Sequence, residues 1–208
     1  MIFNRHSELD GSHAILSPSG YSWLNYENEE DFYRRFKSTY AQAIGTSIHA
    51  LAKDLIENRI KLSDSDKKLV TVHLIQDGIP RSIIEPNDWF QTLKAYVNDA
   101  IGFRMTPEVP LVYSLNAFGT TDAISFRDDI LRIHDLKTGI TPAKMDQLLC
   151  YAAYFCLEYK VKPKDIQTNL RIYQKENVMV LDPEPDDIST IIDKTIAADK
   201  VISKFRED

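Results

Sequence analysis

The sequence predicts an α/β protein: a mixed β-sheet flanked by α-helices, with a helical elaboration at its N-terminal end. Three observations predict it. Residues up to about 104 carry apolar side chains at helical spacing. From Met105 onward, short alternating runs bounded by turn residues take over. One amphipathic helix then falls between strands, which requires a crossover and a parallel pair within the sheet. The 208 residues are read as a single domain, 1–208, with a helical part over about 1–104 and a sheet core with its C-terminal helix over about 105–208.

The elements follow in order. Residues 1–13 read as irregular. Ser17 as N-cap and Pro18 at the first position open a short helix carrying Trp23 and Leu24. A polar helix with aromatic anchors covers 29–36. A long helix over about 39–59 places Ile44, Ile48, Leu51 and Leu55 on its core face. His49 lies off that stripe, flanked by Gly45, Ala52 and Lys53, and reads either as a surface histidine or as a metal ligand. Residues 63–66 cap a helix over about 64–76, ended by Asp77-Gly78. Residues 80–86 read as a loop, and Asn87 or Asp88 caps a helix carrying Trp89, Leu93, Tyr96, Val97 and Ile101.

Residues 108–113 read as an edge strand, where Pro110 is tolerated. Two further strands, 119–125 and 131–139, are joined by a polar turn at Arg127, Asp128 and Asp129. Thr141-Pro142 opens a helix over about 143–159, with Met145, Leu148, Leu149, Ala152, Phe155 and Cys156 as core. Its other face aligns Lys144, Gln147, Tyr151, Tyr154 and Glu158. Strands over 167–174 and 178–181 precede a last helix, about 186–205, with Ile188, Ile191, Ile192, Ile196 and Ile202 as its stripe.

An apolar fraction of 43% supplies a real core, and no apolar run reaches the length of a membrane span. Cys150 and Cys156 sit on different turns of one predicted helix, poorly placed to bridge, which fits a reducing cytoplasm. Two cysteines cannot hold a four-thiolate cluster. A net charge of -6 counts against a protein that coats nucleic acid non-specifically. It leaves room for a local site whose acidic residues are metal ligands.

The chemistry concentrates in the predicted hairpin. Alternation along a strand puts Asp135 and Lys137 on one side, with Leu136 turned into the core, and pairing brings Asp122 beside them. Two carboxylates and an ammonium suit a hard divalent cation and a water to be activated. The bland alternative is a solvated surface ion pair.

Taken with their neighbours, these residues form an ordered set: Gly45-Thr46-Ser47-Ile48-His49, Glu108, Gly119-Thr120-Thr121-Asp122-Ala123-Ile124, Ile133-His134-Asp135-Leu136-Lys137-Thr138-Gly139 and Gln147-Leu148-Leu149-Cys150-Tyr151-Ala152. The set resembles the PD-(D/E)XK nuclease superfamily in its RecB-like and lambda-exonuclease-like branch. The stretch from His13 to Ser19, with Trp23, Leu24 and Asn25, looks like a phage-encoded family within it.

The resemblance implies a restriction-endonuclease-like core and a metal-dependent DNA nuclease, an exonuclease of phage recombination, replication or end processing. It implies Asp122, Asp135 and Lys137 as catalytic residues, and His49, Asp122, Asp135 and, last, Glu108 as ligands of Mg²⁺ or Mn²⁺. Gln147, Tyr151 and Lys144 would bind substrate. DNA is the implied partner, with a single-strand annealing or single-strand-binding protein and a second copy as further candidates. It implies no iron–sulfur cluster and the host cytoplasm as location. The alternative is a catalytically inactive nucleic-acid-binding module on the same fold, in a replication or packaging complex.

Overall fold

The computed structural model describes residues 7, 14–85 and 89–207. The chain divides into two compact units, Met1–Ala43 and Ile44–Asp208. In the first, a 3₁₀ segment, Pro18–Asn25, stands where a short helix is predicted. Ser17 makes no side-chain cap there; its carbonyl instead accepts the Trp23 indole N–H at 3.2 Å. Helix α1, Glu29–Thr39, is capped by Asn28, whose Oδ1 accepts the Asp31 amide at 3.1 Å.

The long helix predicted over 39–59 is α2, Ala41–Glu57, set off from α1 at Tyr40. From Ile44 onward it buries the expected stripe of Ile44, Ile48, Leu51 and Leu55. A 3₁₀ turn, Asp64–Asp66, leads into α3, Lys67–Gln76. There Asp66 Oδ2 accepts both the Ser63 amide and the Ser63 hydroxyl at 2.7 Å. Gly78 at φ +81° closes the helix.

The predicted loop at 80–86 contains a short helix, α4, Arg81–Ile84. Ile83 and Ile84 are buried, so this stretch is packed as a helical turn where a loop is expected. The caps expected at Asn87 and Asp88 lie outside the described residues. Helix α5, Phe90–Gly102, follows.

Five strands form one mixed sheet in the order β1 (Thr106–Ser114), β2 (Ala117–Arg127), β3 (Ile130–Lys137), β4 (Gln167–Gln174) and β5 (Asn177–Leu181). All neighbours are antiparallel except β3 and β4, which run parallel across the crossover helix α6, Asp146–Tyr159. Asp128 and Asp129 both take positive φ, as a two-residue hairpin turn requires. Helix α5 packs against β3 and β4; α6 packs against β1 to β4; α7, Pro185–Glu207, packs on α6. The α6 side holds the main apolar core, including Leu131, Ile133, Leu148, Ala152, Leu170 and Ile172.

Four sequence expectations are corrected. Helix α6 begins at Asp146, so Lys144 lies ahead of it and not on its face. The alternation of β4, which by sequence sets Leu170 and Ile172 on one face and Arg171 and Tyr173 on the other with either face inward, does not leave one face open: Tyr173 is fully buried together with Leu170 and Ile172, because both faces of β4 are covered. Ala52 is buried and is not part of an open flank beside His49. The apolar stripe of α7 does not stay buried: Ile188 is covered, but Ile202 is 42% exposed and Phe205 74%. With 23 residues against the 14 of α6, α7 outruns the helix it packs on. Both cysteines are free thiols. Among the described residues, no helix is long and apolar enough to cross a membrane.

Candidate active site

The hairpin of β2 and β3 creates the centre. Its ladder pairs Ala123 with His134, and one step further Asp122 and Asp135 face each other. There the Asp122 side chain takes over from the backbone: Oδ2 accepts the Leu136 amide at 2.8 Å. A donor that would otherwise lack a partner is satisfied, and the carboxylate is locked between Asp135 and Lys137.

Asp135 is 3% exposed. Its Oδ1 accepts from Lys137 Nζ at 3.0 Å, and its Oδ2 is buried without a partner. Burial first, and then the Asp122 charge, push the Asp135 carboxyl up to about 6, against the opposing pull of Lys137 and His49. Lys137 Nζ also donates to Gln147 Oε1 at 3.0 Å. Gln147 Nε2 reaches the Tyr151 hydroxyl at 3.5 Å, and that hydroxyl donates to the Thr120 carbonyl at 2.7 Å. A polar line thus runs from β3 across α6 to β2. At Gly119 a Cβ would lie 2.9 Å from Tyr151 Cε1, so the Tyr151 ring needs glycine beneath it.

His49 enters from α2, with Nδ1 3.5 Å from Asp122 Oδ1. The hydrogen bond to Asp122 raises the His49 pKa, with smaller contributions from the Asp122 and Asp135 charges and against desolvation. Beside the imidazole lies an open cleft of about 590 Å³, lined by Gly45, Thr46, Ala50, Lys53 and Asp54 of α2 and by Glu108. The cleft reaches the site at His49 and Glu108; neither Asp135 nor Lys137 lines it.

Glu108 adopts φ +50° between the pairs Pro107–Ala123 and Val109–Thr121, level with Asp122. Its carboxylate is held by Lys53 Nζ at 2.6 Å, and the Glu108 partner raises the Lys53 pKa. Lys144 is exposed in the connection before α6.

The structure therefore brings together His49, Asp122, Asp135, Lys137, Gln147 and Tyr151, sets Glu108 at the cleft, and leaves Lys144 at the periphery. It adds residues that no local pattern singled out. Gln174 is 8% exposed. Its Nε2 donates to the carbonyls of Gly139 (2.8 Å) and Thr141 (2.7 Å), and its Oε1 accepts the Ala143 amide (3.1 Å). Trp89 Nε1 donates to the Thr138 carbonyl at 3.2 Å. Together they clamp the connection between Lys137 and Gln147. Nothing local marks a strand-terminal glutamine for that task.

The donor set fits a hard divalent cation in its chemistry: carboxylates, an imidazole and one buried carboxylate oxygen lacking any partner. Its arrangement is paired off internally. Asp122 holds an amide, Asp135 holds Lys137, and Glu108 holds Lys53. Among the described residues, no group of three or more His, Cys, Asp or Glu side chains is set to hold a metal ion.

No family model and no curated protein matches the chain. Among solved structures it is similar to SSO0001, at 15% sequence identity and a TM-score of 0.35, over 66% of this chain and 68% of that one. A likeness at that score carries no argument about fold or function.

Proposed function

We propose that the chain is a metal-dependent DNA nuclease with a restriction-endonuclease-like core, in the RecB-like and lambda-exonuclease-like branch of the PD-(D/E)XK superfamily. Its activity is that of an exonuclease in phage recombination, replication or DNA end processing. The observation that carries this reading is one juxtaposition: His49 of α2 touches Asp122 of β2, which clasps the amide between Asp135 and Lys137.

His49, Asp122 and Asp135 would hold Mg²⁺ or Mn²⁺, the unpartnered Oδ2 of Asp135 being the available oxygen. When bound, such a cation neutralises a phosphodiester and lowers the pKa of a coordinated water. Lys137, fixed by Asp135 and Gln147, would orient the attacking water. Gln147 presents its amide N–H on the α6 surface to the sugar–phosphate backbone, with the Tyr151 ring beside it and its hydroxyl tied to Thr120, and Lys144 adds charge nearby.

The second reading is a binding-only module, favoured by the internal pairing of the acidic residues and by the lack, among the described residues, of a three-donor group. Incubation of the pure protein with linear duplex, single-stranded and closed circular DNA, with and without Mg²⁺ or Mn²⁺, separates the two. Cation-dependent loss of linear DNA with circles spared is expected. DNA retention that is equal with and without cation, and no cleavage, would refute catalysis.

A further inference from the structure

We propose that Gln174 is a positioning residue for the candidate active site: by holding the backbone that joins Lys137 to Gln147, it sets the direction of the Lys137 ammonium. The inference rests on the nuclease reading and deepens it.

β3 ends at Lys137, α6 begins at Asp146, and the stretch between them, 138–145, has no regular structure. Its path is therefore set by what its backbone groups can bond. Gln174, the last residue of β4, stands directly opposite Lys137 in the parallel ladder. From that level one buried side-chain amide reaches three points of the stretch. Its Nε2 takes the carbonyls of Gly139 and Thr141, and its Oε1 takes the Ala143 amide. Both N–H groups of the side chain are engaged there. Glutamate offers no such donors when ionised, and methionine, of similar length, offers no donor at all.

The two ends of the stretch give the hold its consequence. Lys137 Nζ is bonded to Asp135 Oδ1 and to Gln147 Oε1, each at 3.0 Å. Gln147 sits in the first turn of α6, and Met145 at the N-cap makes no side-chain cap for that turn. The place of Gln147 depends on the backbone leading into it. Further along α6, Leu148, Ala152 and Phe155 are anchored in the apolar core. Release of 139–143 therefore shifts the first turn without unfolding the helix, and leaves the Lys137 ammonium held by Asp135 alone.

Trp89 Nε1 donates to the Thr138 carbonyl, so its indole reports on the stretch. In a Trp23→Phe background Trp89 is the one tryptophan left. There Gln174→Met and Gln174→Glu are expected to raise acrylamide quenching of the protein without DNA or metal. On linear duplex with Mg²⁺ at about pH 8, both are expected to lower kcat by about 10- to 100-fold, with the circular-dichroism melt still above the assay temperature. Gln147→Ala is expected to lower kcat as well, and adding Gln174→Met to it to lower kcat no further, because Gln174 acts through Gln147. Losses from a merely structural residue would multiply. Unchanged quenching, wild-type kcat in both folded variants, or multiplying losses would each overturn the proposal and leave the nuclease reading standing. A wild-type chain that cuts no DNA would instead remove that reading, and this role with it.

Discussion

β3 carries two neighbouring buried titratable residues, His134 and Asp135, and the two sides of the strand treat charge in opposite ways. On the α5 side His134 is fully buried. The Tyr173 hydroxyl donates to Asp99 Oδ2 at 2.7 Å and so meets His134 Nδ1, at 3.2 Å, as an acceptor. That assigns the proton to Nδ1 and leaves Nε2 as the bare nitrogen, which is the one without a partner. Asp99 is in turn paired with Arg171 at 3.0 Å. Phe103 takes the guanidinium groups of Arg132 and Arg171, each at 4.9 Å. Burial, and then the charges of Arg171 and Arg132, push His134 down to about 3.

On the α6 side Asp135 is buried as deeply, yet it faces Asp122 and keeps one oxygen unsatisfied. The first environment removes the charge and holds the neutral imidazole at Nδ1 within a hydrogen-bonded network. The second retains a carboxylate that its surroundings disfavour, a pattern of strained polar groups typical of functional sites.

The largest expected effect attacks the α6 side. Lys137→Ala and Asp122→Ala should each reduce cleavage by on the order of 10³-fold or more, while the thermal midpoint stays within a few degrees. A steady-state assay beside a calorimetric scan checks both. Retained cleavage in both variants would break the assignment.

Asp135→Asn sharpens the contrast. The folded-state pKa of Asp135 lies above its ordinary value of 3.8, so its ionised form costs stability that a neutral isostere recovers. The variant should lose cleavage yet gain about 1–2 kcal/mol at pH 8, read by urea unfolding. On the opposite side Tyr173→Phe should cost about 1–3 kcal/mol, because Asp99 and His134 lose their shared hydroxyl, with cleavage kept.

Acid separates the two sides by sign. Asp135 binds its proton more tightly when folded, so between about 6 and 3.8 its contribution to stability rises as pH falls. His134 binds its proton less tightly when folded, so between 6.5 and about 3 its contribution is lost as pH falls. The two offset in the wild type. Asp135→Asn should therefore lose stability more steeply below pH 6 in a urea series. Cleavage by the wild type should fall below about pH 6 as Asp135 is protonated. Added Mn²⁺ should raise the melting temperature more at pH 8 than at pH 6, since His49 and Asp135 must shed protons to bind it. A shift independent of pH would count against those two ligands.

The smallest effect lies at the rim. Lys144→Ala should lower the salt-dependence slope of DNA binding by about one and weaken affinity alike for all sequences.

Element types were largely legible from the sequence because periodicity is local. The stripe of Ile44, Ile48, Leu51 and Leu55, the polar turn at Asp128 and Asp129, and the crossover helix before β4 each announce themselves within a few residues. So did the Asp135-Leu136-Lys137 alternation, which needs nothing but an extended backbone. What the sequence could not supply is distance between segments far apart in the chain.

Only the tertiary structure set His49 against Asp122, turned the Asp122 carboxylate onto the Leu136 amide, and gave Lys53 to Glu108. It alone made Gln174 the clamp of the Lys137–Gln147 connection and let α7 outrun its packing partner. A side chain's chemistry is written at its own position. Its proton affinity, its partner and its exposure are set by whatever the fold brings within a few ångströms of it.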